Sequence, residues 1–376
     1  MAGLSRALRP RILVVDNSVG VTGALHSIIR SSLFLNSLYE FLFVLPHGST
    51  GTKLVRDNGF DVRELGMLEL SRSLKSWVLY LPVLLRNVVR LKKIVRKERI
   101  DLIVSNDFYN LLPAFHNVLG GRTPYVTYVR FMPSRFPKVL LKVWLGIHKS
   151  KSKEIICVSQ AVRSELGIER PLPVVPNEIP WNQDDRSFDC DTVVFFPANY
   201  TRGKGHLMML NVFAQVAQQC PGWTLRFAGD TMGLRKNEKY KNELKDWAEQ
   251  LGIASRVEWL GHQDNMAQEY GKASIVTMFS ESESFSMVCL EACYFQRAVI
   301  ATRCGGPQEI IVHGQSGFLV DTNDVAAATH YLAELMNNQE LRNSMGRRGK
   351  ELVLQKSDIQ LVAGQLGNIY QEALSQ

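Results

Sequence analysis

The sequence of 376 residues predicts an α/β protein with two Rossmann-like domains facing each other across a cleft. Two observations predict this fold class. Short apolar segments of parallel-strand type alternate with helical patterns along the chain, and they form two successive series. The length also exceeds what one hydrophobic core usually supports.

A polar, aperiodic segment at 181–191 separates the two series and is a candidate linker. We therefore expect an N-terminal domain at 1–178, a C-terminal domain at 179–352, and a terminal helix at 353–376 that could pack back on the N-terminal domain. The predicted strands lie at residues 11–16, 39–45, 100–105, 124–129, 153–159, 192–198, 223–229, 256–261, 274–279, 298–302 and 317–320.

Composition is that of an ordinary globular protein, with 45% apolar and 21% charged residues. No apolar run approaches the roughly eighteen residues of a membrane helix, and the N-terminus lacks the apolar stretch of a secretory signal. The six cysteines are scattered in apolar surroundings without metal-ligand spacing. We expect a cytoplasmic protein with reduced thiols and no metal site.

The net charge of +8 is distributed unevenly. Residues 1–150 hold 22 Lys/Arg and 9 Asp/Glu, a net charge of +13, whereas residues 181–376 hold 18 and 23, a net charge of −5. A basic N-terminal half predicts a polyanionic neighbour for that half.

One carboxylate stands alone in an apolar stretch. Residues 284–296 carry a single charge, Glu291, at helical spacing after a buried strand and a polar turn that ends at Glu283. An unpaired buried charge is costly, so a partner is expected for Glu291. Both carboxylates follow the carboxyl end of a strand, where open α/β sheets bind ligands.

Two further loops leave strands of the second series. Residues 199–205 combine two glycines with Arg202 and Lys204 ahead of a helix, which is typical of a phosphate cradle but also of an ordinary turn. Residues 303–306 end in Gly305 and Gly306, which allow either a tight turn or close approach of a ligand to the backbone.

These motifs together resemble retaining glycosyltransferases of family 4 (glycosyl transferases group 1), which have the GT-B fold. The resemblance rests on the Glu-x7-Glu pair Glu283 and Glu291, on Lys204-Gly205, and on the strand, Gly-Gly loop and helix within 299–320. In the N-terminal half, segments 157–166 and 174–179 are similar to the family's last strand, its Ser-initiated helix and its Pro-Asn turn.

The resemblance implies roles for these residues. Lys204 would pair with the donor pyrophosphate, Glu291 would accept hydrogen bonds from ribose hydroxyls, and Glu283 would contact the transferred sugar. Backbone amides near Phe285 and Ser286 would face phosphate, and fixed amides and cations would stabilise the leaving diphosphate without a metal. For Glu291, the alternative is a structural bond to a nearby amide or Arg.

The sequence departs from the family pattern at three places. Asn199 stands where an Arg is usual, five residues before the Lys, and Arg202 is a candidate substitute. Ser286 replaces a common Gly, and the usual Gly-x-Pro before the next strand begins with Gln296. Contacts to the base are expected from the backbone near His262.

The N-terminal half offers fewer candidates. Gly20 and Gly23 follow the first strand, where the family often has a Gly-rich loop at the donor phosphate, although a plain turn fits as well. Arg130 follows the strand at 124–129, where many relatives have a His. An Arg there could bind phosphate or an anionic acceptor but could not act as a general base.

Residues 74–100 predict a basic amphipathic helix. Arg86, Arg90, Lys93 and Lys97 share one face, and Pro82 indicates a helix start or a kink. Such a helix could pack on the sheet with a solvated basic face. It could also rest on anionic lipid at the inner membrane face, with Trp77 and Tyr80 as interfacial anchors.

The sequence therefore predicts a metal-independent retaining glycosyltransferase without a cofactor. It would move a sugar from a nucleotide diphosphate-sugar to a hydroxyl of a glycan or lipid-linked acceptor, as in cell-surface polysaccharide or lipopolysaccharide synthesis. The alternatives are a sugar-nucleotide epimerase or hydrolase of the same fold, and a non-catalytic basic protein that binds nucleic acid or a membrane surface. The basic surface lacks stacked aromatics and a recognised module, so no nucleic-acid partner is expected.

Overall fold

The computed structural model describes residues 9–68, 74–181 and 192–375. The chain divides into two compact units: an N-terminal unit, Met1–Glu178 with Ile359–Gln376, and a C-terminal unit, Ile179–Asp358. The predicted linker, apart from Trp181, lies outside the described residues.

The N-terminal unit has a parallel sheet of six strands in the order β3-β2-β1-β4-β5-β6. The direction of winding reverses between β1 and β4, which makes the gap between these strands the switch point of the sheet. The strands are β1 (Arg11–Val15), β2 (Glu40–Pro46), β3 (Asp61–Leu65), β4 (Leu102–Ser105), β5 (Tyr125–Val129) and β6 (Glu154–Cys157).

The helices of the N-terminal unit follow these strands, and the last helix of the chain joins them. That last helix packs against the first, and its Tyr370 is buried in the same core as Val14 and Phe43. The helices are α1 (Gly23–Leu35), α2 (Gly51–Asp57), α3 (Leu74–Lys97), α4 (Leu112–Val118), α5 (Lys138–Lys151), α6 (Gln160–Leu166) and α14 (Ile359–Ser375).

The C-terminal unit repeats this topology in a second parallel sheet, ordered β12-β11-β10-β7-β8-β9. Its switch point lies between β7 and β10. The strands are β7 (Val193–Pro197), β8 (Thr224–Ala228), β9 (Val257–Trp259), β10 (Ile275–Met278), β11 (Ala298–Thr302) and β12 (Phe318–Val320).

The core of the C-terminal unit buries apolar side chains of its strands and helices together, including Phe196, Phe213 and Leu332. The helices are α7 (His206–Ala217), α8 (Arg235–Gln250), α9 (Met266–Lys272), α10 (Met287–Tyr294), α11 (Pro307–Ile310), α12 (Val325–Asn337) and α13 (Gln339–Ser357). Residues 353–357 complete α13, so the terminal helix begins at Ile359 rather than at residue 353.

Two further elements differ from the sequence prediction. Strand β3 is absent from the predicted set because its sequence, DVREL, carries three charges, which an edge strand tolerates. Helix α3 begins at Leu74 and runs through Pro82, so the proposal that the helix starts at the proline is wrong.

Helix α3 buries only part of its apolar surface. Leu84, Val88 and Leu91 are buried. Leu81, Leu85 and Val89, which follow one another at intervals of four residues, are exposed. These three form a continuous row on one face of the helix. The side chain of Trp77 lies outside the described residues. In the part of the chain that is described, no helix combines the length and the apolar character needed to cross a bilayer.

Candidate functional site

The strongest candidate site lies at the switch point of the C-terminal sheet. Strands β7 and β10 are neighbours there, with Val194 opposite Ile275 and Phe195 opposite Val276. Because the strands are parallel, the loops that leave them emerge at the same edge. This topology brings Lys204, on the loop after β7, to Glu283, on the loop after β10.

Lys204 and Glu283 form an ion pair. The Lys204 Nζ donates to the Glu283 Oε1 at 2.6 Å, and the Ser280 Oγ donates to the same carboxylate oxygen at 2.7 Å. The two charged side chains are 37% and 19% exposed, so the pair is partly shielded but open to a ligand. An anion that binds Lys204 must therefore compete with the Glu283 carboxylate.

The backbone around Glu283 is fixed by the loop after β11. The amide of Glu283 donates to the carbonyl of Cys304 at 3.0 Å, and the amide of Gly306 donates to the carbonyl of Glu283 at 2.8 Å. The Thr302 hydroxyl also donates to the carbonyl of Ser280 at 2.5 Å. These bonds hold the Glu283 carboxylate in place before any ligand binds, which is the preorganisation that a catalytic group requires.

Two glycines of these loops are required by neighbouring backbone. A Cβ on Gly205, where φ is +86°, would lie 2.2 Å from the carbonyl oxygen of Phe279, and a Cβ on Gly306 would lie 2.1 Å from that of Phe285. Both distances are far below any real contact. The glycines therefore let the three loops pack on one another; Gly305, with φ +114°, occupies the left-handed region that favours glycine.

Phe285 and Ser286 precede helix α10 rather than belonging to it. Phe285 is buried, and Ser286 is the N-cap, with its hydroxyl accepting from the amide of Cys289 at 3.3 Å. The φ of Ser286 is +88°, a conformation that costs an L-residue roughly 1–3 kcal/mol. This conformation gives a physical reason for a glycine at this position, and the amides at the start of α10 form a partial positive charge.

Glu291 lies on α10, is half-buried and has Tyr270 as a neighbour. Burial and then the nearby Glu291 carboxylate raise the pKa of Tyr270 well above its usual value, so the tyrosine is a neutral neighbour of the carboxylate. The Tyr270 ring in turn stacks on Phe295 with ring centres 5.7 Å apart. Glu291, for which the sequence predicted a partner, thus lies beside the phenol of Tyr270.

The contacts of Asn199 and Arg202 are with residues other than Glu283. The Asn199 Oδ1 accepts from the amide of Asp230 at 3.0 Å, which joins the loops after β7 and β8. Arg202 pairs with Glu243 on α8, and its guanidinium lies 4.7 Å from the centre of the Tyr240 ring. For Arg202 to reach a phosphate, it would have to leave both partners.

The remaining candidates are one residue of the C-terminal unit and two of the N-terminal unit. His262 is exposed, with its Nε2 3.4 Å from the Asp264 carboxylate. Gly23 is the first residue of α1, which is capped by the Thr22 hydroxyl.

Arg130 is buried at the end of β5, where its guanidinium donates to the side-chain oxygens of Asn106 at 3.0 Å and Asn177 at 2.6 Å. The guanidinium also lies 4.0 Å from the centre of the Tyr128 ring. Arg130 is therefore part of a buried polar network within the N-terminal unit, whereas the sequence alone indicated an anion-binding side chain.

Three residues of the site were not predicted from the sequence. Ser280 and Thr302 position the Glu283 loop, and His206 opens helix α7 directly after Lys204-Gly205. Burial lowers the pKa of His206 to about 4, so the ring is neutral where it stacks on Tyr200. The signal for Ser280 was its place in the polar turn next to Glu283. Among the described residues, no cluster of three or more His, Cys, Asp or Glu could hold a metal ion.

Comparison with known families accounts for this arrangement. Residues 37–179 match the family profile described as Glycosyltransferase Family 4, and residues 180–352 match the profile described as Glycosyl transferases group 1. The chain belongs to this glycosyltransferase family. The two matches adjoin and together extend over most of the sequence, so the resemblance inferred from Glu283, Glu291 and Lys204 is confirmed.

Two curated relatives illustrate the sequence similarity. An uncharacterized glycosyltransferase of Methanocaldococcus jannaschii is 30% identical over 233 residues, which are 59% of this chain and 60% of the relative. The N-acetyl-alpha-D-glucosaminyl L-malate synthase of Bacillus anthracis is 35% identical over 124 residues, 33% of this chain and 32% of the relative. The matches thus span less than two thirds of these relatives.

A solved structure matches nearly the whole chain. The crystal structure of Anabaena HepE in complex with UDP and glucose superimposes with a TM-score of 0.82, over 97% of this chain and 100% of that one, at 20% sequence identity. At this identity the likeness establishes the fold. The predicted GT-B fold of this chain, with two Rossmann-like domains, is confirmed.

Proposed function

We propose that this family member transfers a sugar, with retention of configuration, from a nucleoside diphosphate-sugar to a hydroxyl of a glycan or lipid-linked acceptor. The observation that carries the proposal is the Lys204–Glu283 ion pair at the switch point, beside the amino end of α10. A cation and a helix N-terminus together suit a diphosphate, and a fixed carboxylate suits hydroxyls of the sugar.

In the proposed complex, Lys204 binds the diphosphate and Glu291 accepts hydrogen bonds from the ribose. The Glu283 carboxylate, held by Ser280, orients the sugar. The bond from the anomeric carbon to the diphosphate breaks, and the acceptor oxygen forms its bond on the same face. A donor phosphate oxygen takes the acceptor proton, so this step needs no protein base. HepE, the structural neighbour, binds UDP and UDP-glucose, which supports a uridine donor.

The proposal assigns no role to a metal ion. Negative charge that develops on the leaving diphosphate meets the Lys204 ammonium and the amides at the start of α10, which are fixed before reaction. Transfer that continues unchanged in EDTA would support this assignment, and restoration of lost activity by Mg²⁺ or Mn²⁺ would refute it.

A peripheral position on the inner face of the membrane is part of the proposal. The exposed row Leu81, Leu85 and Val89 on α3 adjoins the exposed cations Arg86 and Arg90. Apolar residues flanked by cations suit the boundary between anionic headgroups and acyl chains. Such a position would bring a cytoplasmic enzyme to a lipid-linked acceptor.

Thermal unfolding with UDP, GDP, dTDP and ADP tests the proposed donor. A nucleotide at a hundred times its dissociation constant adds about 2.7 kcal/mol to the free energy of unfolding. We expect UDP to raise the melting temperature most. If none of the four raises it, the proposed donor site is wrong. The anomeric configuration of the product, measured by proton NMR, then tests retention.

A further inference from the structure

Helix α5 of the N-terminal unit exposes two valines on one side. Val139 is 75% exposed, more than any other large apolar side chain among the described residues, and Val143, one turn further along the helix, is 52% exposed. The opposite side of the helix is anchored, because Trp144, Leu145 and His148 are buried. Single exposed apolar side chains are common on soluble proteins, so the meaning of these two depends on what surrounds them.

Three exposed lysines of α5 lie beside the valines. Lys138, Lys142 and Lys149 follow one another at intervals of four and seven residues, so they share a row of the helix next to the row of Val139 and Val143. None of the described carboxylates forms an ion pair with these lysines. Their positive charge is therefore available to a partner outside the chain.

The sequence around α5 contains cations and no acidic residue. Residues 108–153 hold eight Lys or Arg and no Asp or Glu, and α3 likewise carries cations without a carboxylate. The surface of a soluble domain usually mixes charges of both signs. A surface of one sign attracts a polyanionic partner, and the long acid-free stretch indicates that α5 belongs to such a surface.

Helices α3 and α5 expose their apolar residues near the same edge of the sheet. Helix α3 follows β3 and α5 follows β5, so both helices begin at the carboxyl ends of the parallel strands. Helix α4 packs against both, and both border one cavity at that edge. Leu81 and Leu85 on α3, and Val139 and Val143 on α5, lie in the first halves of their helices. The four side chains are thus available to one flat partner.

We propose that the exposed face of α5 inserts at the headgroup boundary of an anionic phospholipid bilayer, together with the exposed row on α3. This inference deepens the peripheral membrane position of the proposed function and rests on it. Lysines alone would also suit a soluble polyanion, but such a partner would leave Val139 and Val143 in water. A bilayer takes up both the lysines and the valines, because anionic headgroups lie directly above acyl chains.

Contact through two helices has a consequence for orientation. A single helix lying on a membrane leaves the unit free to rotate about the axis of that helix. Two helices that touch at the same edge remove this freedom and turn the carboxyl ends of the N-terminal strands toward the lipid. The inference therefore concerns how the unit faces the membrane as well as which residues bind.

Cosedimentation with vesicles of phosphatidylcholine, with and without phosphatidylglycerol, tests the apolar contribution. The double variant Val139→Ser, Val143→Ser removes apolar surface without changing the charge, and it should weaken binding to the anionic vesicles at least about fivefold. The control variant Val312→Ser, Leu361→Ser removes two apolar side chains that are 39% and 50% exposed and lie outside α3 and α5. It should leave vesicle binding unchanged.

A second pair of variants tests the charge. Lys138→Gln with Lys142→Gln should weaken binding to the anionic vesicles at least about fivefold, because each cation near such a surface contributes to the attraction. Lys236→Gln with Lys239→Gln removes two exposed cations of α8, in the C-terminal unit, and should have little effect.

Insertion is measured with a tryptophan placed on the helix. Fluorescence of Val139→Trp should be quenched by brominated phosphatidylcholine in anionic vesicles beyond the quenching seen for the unsubstituted protein, whereas Val312→Trp should show no such excess. If the lysine variant binds less but the serine variant does not, and Val139→Trp shows no excess quenching, the surface binds polyanions by charge alone and the inference is wrong.

The outcomes for α3 and α5 are separable. If Leu81→Glu weakens vesicle binding while every α5 variant binds normally, α3 docks alone; the peripheral position then stands and this inference is overturned. If the unsubstituted protein binds no anionic vesicles, both fail. UDP titrations of the same proteins report on the donor site of the C-terminal unit, so failure of the proposed transfer is recognised independently.

Discussion

The Lys204 ammonium and the Glu283 carboxylate lie 2.6 Å apart across the ends of neighbouring strands β7 and β10. In the absence of ligand each charge is the other's partner. Under the proposed function, a diphosphate that binds Lys204 would release the Glu283 carboxylate, which would then be available to the hydroxyls of the transferred sugar. This exchange of partners makes the two residues respond differently to substitution.

We expect Lys204→Ala to weaken UDP binding at least about tenfold, because a hydrogen bond to a charged group contributes about 1.5–3 kcal/mol. Glu283→Gln should strengthen UDP binding a few-fold, because it removes the carboxylate that competes with phosphate. The same substitution should lower the rate of transfer. Calorimetric titration of UDP and a single-turnover transfer assay measure the two effects.

Lys272 provides the matched control for Lys204. Its ammonium is 39% exposed in the same unit and lies 3.6 Å from the Glu269 carboxylate. Lys272→Ala removes an ion pair of similar exposure away from the switch point, so it should leave UDP binding unchanged. Equal UDP affinities for Lys204→Ala and Lys272→Ala would contradict the role of Lys204.

Much of the fold was predictable because the strands of a parallel sheet are buried on both faces. The resulting apolar runs, such as those of β1 and β10, are visible in the sequence without any partner. Strand β3 was missed for the opposite reason, since an edge strand can carry Asp, Arg and Glu. The path of α3 through Pro82 depends on tertiary packing, which propensity does not report.

The candidate site was predictable in its residues but not in their partners. A carboxylate in an apolar helix, Glu291, and a cation in a glycine loop, Lys204, are visible as exceptions to their surroundings. The pairing of Arg202 with Glu243 and the burial of Arg130 depend on which helix or loop lies next in space. Spacing along the chain contains no signal for such contacts.

Gln296 stands where the family usually has a glycine, and its backbone conformation predicts that glycine would stabilise the protein at this position. It follows α10 with φ +56°, and its amide donates to the carbonyl of Cys293 while the next amide donates to that of Ala292, a Schellman motif. Gln296→Gly should stabilise the protein by about 1 kcal/mol, because glycine adopts this conformation without strain. Urea unfolding measures the change.

A glutamine-to-glycine substitution inside a helix should have the opposite effect on the free energy of unfolding. Gln371 is exposed within α14, where Gln371→Gly should destabilise the protein by about 0.5–1 kcal/mol through the helix propensity of glycine. If both substitutions destabilise, the left-handed conformation of Gln296 is not what limits stability at that position.

The exposed row on α3 predicts a specific membrane response. Leu81 and Leu361 are both 50% exposed in the N-terminal unit, on α3 and α14 respectively. Leu81→Glu should reduce binding to vesicles that contain anionic lipid several-fold, because it places a negative charge among Arg86 and Arg90 and removes apolar contact. Leu361→Glu makes the same chemical change elsewhere and should have little effect. Cosedimentation that falls equally for both variants would disprove docking through α3.

His206 predicts a dependence of stability on pH. Burial lowers its pKa from 6.5 to about 4 in the folded protein, so the unfolded chain takes up a proton at a higher pH than the folded one. The free energy of unfolding therefore has its full value above pH 6.5 as far as His206 is concerned. The His206 contribution makes it fall as the pH drops from 6.5 to 4, and no further loss from this residue occurs at lower pH. A shift of this size corresponds to about 3 kcal/mol.

Replacing the ring by one that does not titrate isolates this contribution. His206→Phe keeps an aromatic ring beside Tyr200 and Phe227 and should make the decline in unfolding free energy between pH 6.5 and 4 smaller by about 3 kcal/mol. His262→Phe, at an exposed histidine of the same unit, should keep the full decline. His148, which is also buried with its pKa lowered to about 4, is present in all three proteins, so its effect cancels in the comparison. Parallel curves of unfolding free energy against pH for His206→Phe and the unsubstituted protein would show that the His206 ring is not the group that titrates.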